Sequence, residues 1–398
     1  MAPVELLPDT NGNLNHIIKG TRPKILHLGD DIQYNLDIHS RLLNQFEIIR
    51  PNPTNPTRSE FIRHLKDRTW GDFSAIMRPF WNTGNEMRPW DRQLIELLPQ
   101  SMKVMASAGA GYDWVDVNAL AEYGILYCNG AGASTESVAD MALWYIISVF
   151  RHMTWSSLAA RSNDPSQWKK AHLQIALKSD NPRGHTLGII GLGNIGFAIA
   201  KKARAAFDMD IIYYDKLRKS EDQETQVGAE FYDNLDDMLE QSDCVLIATP
   251  AGDPIITART LALLPRGARV INIARGSLVD EEALADALES GHVSAVGLDV
   301  HANEPNGNVN PRLSKMQNVT LTSHTGGSSL ETVAEFERLA MENVERVLNG
   351  EKALTAVNTH LTQQHTNGEA NRHVNGDGAN GERRNGRYSN WPPTYGSS

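Results

Sequence analysis

The sequence predicts an α/β fold of two units, in which the second unit is inserted into the first. Three observations lead to this prediction. Residues 188–196, GIIGLGNIG, place glycines at G-x-G-x-x-G spacing directly after a short apolar stretch. Strand-like segments alternate with helical ones on both sides, a pattern typical of parallel sheets covered by helices. The chain has 398 residues, 40% of them hydrophobic, and this size suits two domains.

The glycine spacing gains its meaning from the segments around it. Residues Thr186–Ile190 are mostly apolar and end in two β-branched residues, which predicts a buried parallel strand. Residues 197–207 follow with apolar positions at helical spacing, and a second strand, DIIYYD, ends at Asp215. A Rossmann fold places the acid that binds the adenosine ribose about twenty residues beyond its last glycine. The order strand, glycine turn, helix, strand and acid predicts such a dinucleotide-binding unit.

Each glycine of the turn has a separate predicted role. Gly191 permits the tight turn, Gly193 lets the backbone approach the pyrophosphate, and Gly196 lets the helix pack closely on the strand. The helix N-terminus then offers backbone N–H groups and a partial positive charge to the phosphates. We therefore predict a dinucleotide at this turn.

The presence of Asp215 at the end of DIIYYD predicts that the dinucleotide is NAD. Its carboxylate accepts hydrogen bonds from ribose hydroxyls, whereas the 2′-phosphate of NADP would bring like charges close together. Lys216, Arg218 and Lys219 lie close in sequence and would offset part of this repulsion. NADP therefore stays possible, and the predicted preference for NAD is modest.

The late position of the glycine turn predicts how the units are arranged. Strand-like segments before it are KILHLG, FEIIRP, FSAIMRP, MKVMASAG and ILYCNG, with helical or polar stretches such as 59–66 and 92–98 between them. A long helix, about residues 137–161, is expected to lead into the nucleotide unit, whose further strands are CVLIAT, RVINIA, AVGLDV and VTLTS. The last helix, about 330–348, is expected to return to the first unit.

The prediction is a Rossmann dinucleotide-binding domain inserted into a flavodoxin-like substrate domain. Its boundaries are 1–137 for the first part of the substrate domain, 138–323 for the Rossmann domain, 324–358 for the return and 359–398 for a tail.

Composition excludes several classes of function. A net charge of −10 without a concentrated basic face argues against nucleic-acid binding. Cys128 and Cys244 are too few for a disulfide framework or a cysteine-rich metal site, so a reducing compartment and no metal are expected. No signal peptide or membrane-length apolar run is visible, which predicts a cytoplasmic protein without membrane contact. The tail from about residue 360, rich in Asn, Gly, Gln, Arg and Ser, is expected to be disordered.

Three polar residues follow strand ends, where α/β sheets bind ligands. They are Arg275 in NIARGSLVD, Glu304 in DVHANEP and His324 in TSHTGG. Each also has a structural interpretation: Arg275 as a surface ion pair, Glu304 as a turn residue, and His324 as a cap for the last helix.

With these motifs in place, the chain resembles the D-isomer-specific 2-hydroxyacid dehydrogenases over about residues 24–358. The strings AGAGYDWVD, NPRGHTLGIIGLG and AEFERLAMENVERVL are similar to the branch of fungal D-mandelate dehydrogenases. The resemblance implies an enzyme that interconverts a 2-oxo acid and a D-2-hydroxy acid, with Arg275, Glu304 and His324 as its catalytic set. The chemistry agrees, because the planar fork of Arg275 suits a carboxylate and carbonyl. His324 can act as general acid and base, while an adjacent Glu304 would orient it and favour its protonated form.

The resemblance implies further site residues. Ala110 and Gly111, small residues after a strand of the first unit, would bind the substrate carboxylate through backbone N–H groups, together with Arg275. Residues expected to line the cofactor, besides the turn glycines and Asp215, are Thr135, Asn194, Ile195, Thr249, Pro250, Ile273, Ala274 and Asp299. A homodimer is expected from the family as well.

Proteins with other functions share the same fold. A formate dehydrogenase pairs the histidine with glutamine, and Glu304 speaks against it. The tail is too short and too polar for the regulatory domain of many phosphoglycerate dehydrogenases. A corepressor of the C-terminal-binding-protein type retains a similar Arg, Glu and His and stays an alternative. Phe80 and Trp81 could line a substrate pocket or the core. Glyoxylate, hydroxypyruvate and aromatic 2-oxo acids such as phenylglyoxylate therefore all stay open.

Overall fold

The first unit is built on a parallel five-stranded sheet in the computed structural model, which describes residues 22–52, 57–80, 89–304 and 308–362. Its strands are β1 (Lys24–His27), β2 (Glu47–Ile49), β3 (Ala75–Arg78), β4 (Val104–Ser107) and β5 (Leu126–Cys128). The helices between them are α1 (Leu36–Gln45), α2 (Arg58–Lys66), α3 (Arg92–Ile95) and α4 (Val117–Glu122). The strand order β2-β1-β3-β4-β5 is the flavodoxin-like order, as predicted.

Side-chain caps fix where the helices of this unit begin. Thr57 and Glu60 form a capping box at the start of α2, and Asp91 accepts a hydrogen bond from Leu94 N at the start of α3. Asp116 does the same for α4. Such caps satisfy N–H groups that have no partner within the helix, so short helices can form between the strands.

Three helices connect the first unit to the second, where the sequence predicts a single long one. They are α5 (Thr135–Arg151), α6 (Met153–Arg161) and α7 (Pro165–Gln174). The prediction of one helix over 137–161 is wrong, because His152 adopts a left-handed backbone with φ 49° and ends α5. Its ring Nε2 lies 3.1 Å from the Lys178 carbonyl oxygen. No glycine or proline marks the break in the sequence.

The second unit is a seven-stranded parallel sheet with Rossmann strand order. Its strands are β6 (Thr186–Ile190), β7 (Asp210–Tyr214), β8 (Ala229–Tyr232), β9 (Cys244–Ile247), β10 (Ala268–Asn272), β11 (Val293–Leu298) and β12 (Val319–Leu321). Its helices are α8 (Asn194–Phe207), α9 (Glu221–Val227), α10 (Leu235–Glu240), α11 (Ala258–Leu261) and α12 (Glu281–Glu289). The strand order is β12-β11-β10-β9-β6-β7-β8. Successive strands are added on one side of β6 and then on the other, so the switch point lies between β6 and β9, which is where such sheets bind ligands.

Both faces of the second sheet are buried, which explains its continuous apolar strands. Ile189 and Leu246 contribute to the core on one face, and Ile190 and Val245 contribute to the core on the other. β8 was not predicted from the sequence. It is an edge strand with an exposed Glu230, so its apolar pattern is short and interrupted.

The last helix, α13 (Leu330–Leu348), returns to the first unit, as the sequence predicts. Its buried Ala340, Met341 and Val344 share a core cluster with residues of the first sheet such as Met77 and Val104. The residue boundaries assigned above to the domains remain a prediction. Residues 359–362 form a helical turn, so the first part of the predicted disordered tail is helical. The rest of that tail and Trp81 lie outside the described residues.

Candidate active site

The glycine turn between β6 and α8 has the geometry that the spacing predicts. Gly191 has φ 96°, and a Cβ atom there would lie 2.9 Å from the Ala248 carbonyl oxygen. A Cβ atom on Gly196 would lie 2.1 Å from the Gly191 carbonyl oxygen, so the helix packs directly on the turn. A Cβ atom on Gly193 would meet no heavy atom within 4 Å. The space in front of Gly193, immediately before Asn194 and Ile195 open α8, is therefore open to a ligand.

Asp215 is tied to this turn from the end of the neighbouring strand. Its Oδ2 accepts a hydrogen bond from Leu192 N at 3.0 Å and lies 3.1 Å from Lys219 Nζ. The acid predicted to bind the ribose thus lies beside the predicted phosphate site. One of its oxygens is already used to fix the turn.

Arg218, one of the nearby basic residues, has a partner that the sequence did not indicate. Its Nε and Nη2 donate to the two carboxylate oxygens of Glu224 on α9, at 2.9 and 2.8 Å. The Tyr213 hydroxyl also donates to Glu224, at 2.6 Å. Lys216 is exposed. The spacing in the sequence does not indicate this pair, because it depends on the direction in which the Arg218 side chain points.

Further predicted cofactor residues follow β9 and β10 at the same edge of the sheet. Thr249 Cγ2 would lie 2.8 Å from a Cβ atom on Gly191, and Pro250 follows it on the exposed surface. Thr249 Oγ1 is buried and makes no hydrogen bond within the described residues. Ile273 and Ala274 are buried directly after β10. Thr135 opens α5, and its N–H donates to the Gly132 carbonyl oxygen.

The donors and the open space of this edge fit a dinucleotide. A bare backbone turn at a helix N-terminus suits phosphates, an adjacent carboxylate suits ribose hydroxyls, and an unpartnered buried hydroxyl is available to a ligand. The described ranges hold no group of three His, Cys, Asp or Glu side chains arranged for a metal ion. Across those same ranges no helix has the length and apolar character needed to cross a membrane.

Asp299, which follows β11, holds the loop that carries His324. Its Oδ1 accepts from Thr325 N and its Oδ2 from Gly326 N, both at 2.8 Å. His324 N donates to the Asp299 carbonyl oxygen at 2.7 Å, and His324 itself has a left-handed backbone with φ 55°. Asp299 is 2% exposed. The sequence predicts that it lines the cofactor, and here both carboxylate oxygens bind the histidine loop.

His324 and Glu304 lie next to each other. This adjacency is the condition under which Glu304 is expected to orient the histidine. His324 Nδ1 lies 2.7 Å from Glu304 Oε2, while Glu304 Oε1 accepts from His301 N at 2.8 Å. Burial raises the pKa of Glu304, but the hydrogen bond and charge of His324 outweigh it and hold that pKa below its usual value. The carboxylate therefore stays ionised and fixes the ring, so that proton exchange with a substrate would use Nε2. The helix-cap interpretation of His324 is wrong, because Ser329 caps α13.

Arg275 reaches across the cleft to the first unit. Its Nε donates to Asp113 Oδ1 at 3.1 Å, and its Nη1 donates to the Ala274 carbonyl oxygen at 2.7 Å. A Cβ atom on Gly111 would lie 1.4 Å from Arg275 Nη2, so the guanidinium packs against that glycine. Ala110 is the preceding residue. The structure thus brings together Arg275 and Gly111, which lie far apart in sequence.

A close backbone contact joins the Arg275 loop to the Glu304 loop. A Cβ atom on Gly276 would lie 2.0 Å from the His301 carbonyl carbon, and the His301 N–H binds Glu304. The cation, the carboxylate–histidine pair and the glycine turn therefore lie along one edge of the second sheet. This edge faces the loop of residues 109–113 in the first unit.

Comparisons with known proteins identify relatives of this chain. Residues 143–326 match the family model described as D-isomer specific 2-hydroxyacid dehydrogenase, NAD binding domain. The holo form of D-mandelate dehydrogenase from Rhodotorula graminis is 40% identical, with a TM-score of 0.82 over 85% of this chain and 98% of that one. A glyoxylate reductase from Pyrococcus horikoshii is 36% identical over 275 residues, 67% of this chain and 79% of the relative.

A third relative binds the phosphorylated form of the cofactor. The NADPH-dependent glyoxylate/hydroxypyruvate reductase of Sinorhizobium meliloti, solved in complex with NADP and malonate, is 29% identical. Its TM-score is 0.65 over 85% of this chain and 97% of that chain.

Proposed function

This chain belongs to the D-isomer-specific 2-hydroxyacid dehydrogenase family, and we propose that it reduces a 2-oxo acid to a D-2-hydroxy acid and catalyses the reverse oxidation. The observation that carries this proposal is the pairing of His324 with Glu304 on the same sheet edge as Arg275 and the glycine turn. A proton carrier, a carboxylate-binding cation and a dinucleotide site are the parts that the reaction requires.

The cofactor is NAD, with NADP possible, and its nicotinamide when bound supplies or accepts the hydride. We assign the pyrophosphate to the turn around Gly193 and the first turn of α8, where backbone N–H groups face open space. Asp215 is assigned to the adenosine ribose and Thr249 to the same cleft. Asp299 then acts by fixing the histidine loop, since its carboxylate binds Thr325 and Gly326.

Arg275 is proposed to bind the carboxylate and carbonyl oxygens of the substrate. A guanidinium offers parallel N–H donors that a carboxylate accepts in pairs, and it keeps its charge at all relevant pH values. Asp113 and the Ala274 carbonyl oxygen hold its Nε and Nη1, while Nη2 lies at Gly111. The backbone of Ala110 and Gly111 would complete the carboxylate site from the first unit.

His324 is proposed to move the proton. Reduction builds negative charge on the carbonyl oxygen, and a protonated imidazole donates a proton to it from Nε2. In oxidation the neutral ring accepts the proton of the hydroxyl group. Glu304 accepts the Nδ1 hydrogen bond at 2.7 Å, which fixes the ring orientation.

The substrate is proposed to be either a small 2-oxo acid, glyoxylate or hydroxypyruvate, or an aromatic one such as phenylglyoxylate. The likeness to a glyoxylate reductase favours the first class, and the higher identity to a D-mandelate dehydrogenase favours the second. Phe80, which is buried at the end of the described part of its loop, is available as an apolar wall.

The decisive experiment measures NADH oxidation with glyoxylate, hydroxypyruvate and phenylglyoxylate, together with direct NADH binding. We expect turnover of at least one acid, a D-configured product for substrates that give a chiral one, and loss of turnover in His324→Ala. Tight NADH binding without turnover of any acid would instead favour the corepressor of the C-terminal-binding-protein type. Absence of NADH binding would refute both.

We further propose that the protein is a cytoplasmic homodimer. Both cysteines, Cys128 and Cys244, are buried free thiols, which suits a reducing compartment. Apolar side chains are exposed on the three consecutive helices that link the units, and they are Trp144, Ile147, Met153, Leu158, Trp168 and Leu173. A group of exposed apolar side chains that includes two tryptophans is typical of protein interfaces. Sedimentation of wild type and Trp144→Glu tests this, since a monomeric wild type would refute the dimer.

A further inference from the structure

We propose that Glu224 is a specificity-determining residue for the cofactor, because it holds Arg218 away from the place where the 2′-phosphate of NADP would lie. The proposal rests on the assignment of the glycine turn and Asp215 to the dinucleotide. It concerns a residue outside the turn, on the outer helix α9.

The geometry of the pair is that of a strong ionic hydrogen bond. Both carboxylate oxygens of Glu224 accept from the guanidinium, at 2.9 Å from Nε and 2.8 Å from Nη2. The Arg218 guanidinium carbon lies 5.4 Å from the centre of the Phe231 ring. The two groups that Arg218 would use to clamp a phosphate are thus already engaged.

Glu224 is itself fixed, so the pair has a defined position. Its side chain is 9% exposed, and the Tyr213 hydroxyl donates to its Oε1 at 2.6 Å. The hydrogen bonds from Arg218 and Tyr213 lower the pKa of Glu224 to about 2, so it is ionised throughout the physiological range. The Arg218 side chain is 63% exposed and has no comparable packing. Glu224 is therefore the member that determines where Arg218 points.

The same tyrosine connects the pair to the ribose end of the site. Lys219 N donates to the Tyr213 hydroxyl at 2.9 Å, which fixes the turn that follows Asp215. Asp215 is in turn bound to the glycine turn through Leu192 N. Arg218 lies between Asp215 and Lys219 in the sequence, three residues after Asp215. If the Arg218 side chain were released from Glu224, its backbone would still lie at the edge where the adenosine ribose is assigned.

A nearby arginine is what Rossmann folds use to accommodate a 2′-phosphate. Lys219 is engaged by Asp215, which reduces the positive charge it could offer. With Arg218 bound to Glu224 and Lys219 bound to Asp215, two of the three nearby basic residues are already engaged, and the Asp215 carboxylate disfavours a phosphate. Glu224 thus keeps a basic residue in the sequence from acting as a phosphate ligand.

The test compares the dissociation constants of NADPH and NADH by fluorescence titration, without a 2-oxo acid present. Glu224→Gln keeps the size of the side chain and an acceptor for Tyr213 but removes the charge that holds Arg218. We expect the ratio of the NADPH constant to the NADH constant to fall about tenfold, as for one new charge-assisted contact. The same fall is expected between adenosine 2′,5′-bisphosphate and 5′-AMP, which report on the ribose site without the nicotinamide.

Two further variants make the result specific. In Arg218→Gln/Glu224→Gln the ratio is expected to return to the wild-type value, because the gain requires Arg218. Glu345→Gln is the matched control, since Glu345 binds Arg41 through two bonds of 2.7 Å in the first unit. This control should keep the wild-type ratio.

An unchanged ratio in a folded Glu224→Gln, or a fall that persists in the double variant, would overturn the inference. If Glu224→Gln does not fold, Glu224→Ala decides in the same way, because it also removes the carboxylate that holds Arg218. Absence of NADH binding to the wild type would refute the proposed function instead.

Discussion

Replacing Gly111 by alanine tests whether Arg275 holds the carboxylate of the substrate. The added methyl carbon would lie 1.4 Å from Arg275 Nη2 and 2.6 Å from its guanidinium carbon, so the guanidinium must move. Gly111 does not have a positive φ, and the displaced group is the end of a flexible side chain. The fold should therefore survive while the cation leaves its position.

The cost follows from the contacts that are lost. A hydrogen bond to a charged group contributes about 1.5–3 kcal/mol, and each 1.4 kcal/mol corresponds to roughly a tenfold change in affinity. Loss of one such bond to the substrate carboxylate predicts that the KM for the preferred 2-oxo acid rises about 10- to 100-fold. The dissociation constant of NADH should stay within about twofold, because the glycine turn is not affected.

The assay is steady-state reduction of the 2-oxo acid by NADH, with Gly252→Ala as the control. A Cβ atom on Gly252 would meet only Leu278 Cδ2, at 3.9 Å, which is ordinary contact. In an Arg275→Ala background the Gly111 substitution should add little, since residues that share one contact are not additive. A folded Gly111→Ala with a wild-type KM would refute the assignment of Arg275 to the carboxylate.

Three further predictions address the other parts of the site. His324→Ala should lower turnover by roughly 10²- to 10⁴-fold with NADH affinity retained, and an unchanged rate in stopped-flow reduction would remove His324 from the mechanism. Arg275→Lys should raise KM and lower kcat because a point charge cannot replace the planar fork, so equal kinetics would count against that role. The pKa of Glu224 is lowered from 4.5 to about 2, so its stabilising effect is full above pH 4.5 and is lost as the pH falls towards 2. Urea unfolding of wild type and Glu224→Gln over that range should show their difference shrinking with falling pH, and a constant difference would contradict it.

Local patterns were enough to predict much of the fold. β6 over Thr186–Ile190 and α13 over Leu330–Leu348 have the predicted bounds, because each combines a strong apolar pattern with a clear start. The break at His152 and the edge strand β8 were missed. A left-handed histidine is selected by tertiary contacts such as that with Lys178, and an edge strand buries too little to show a pattern.

Some contacts of the site could be expected from the sequence, and others could not. The resemblance to the family implied that His324 and Glu304 act together, and the structure shows them paired after two adjacent strands of one parallel sheet. The contact of Arg275 with Asp113 spans 162 residues, and nothing near either residue indicates it. Glu224 was missed for another reason. Its role depends on the direction in which Arg218 points, which is set by packing around Tyr213 and is not visible in the spacing.

The return of α13 to the first sheet has a consequence for how the protein is made. Ala340, Met341 and Val344 cover apolar residues of that sheet, yet they leave the ribosome only after the entire second unit. The first sheet therefore has an exposed apolar face until α13 has been synthesised, and such a state is prone to aggregation. Helix α13 is the element that ends this exposure, so the unit that begins folding first is the one that finishes last. Early termination within α13 should leave a Rossmann unit able to fold and a first unit that depends on chaperones.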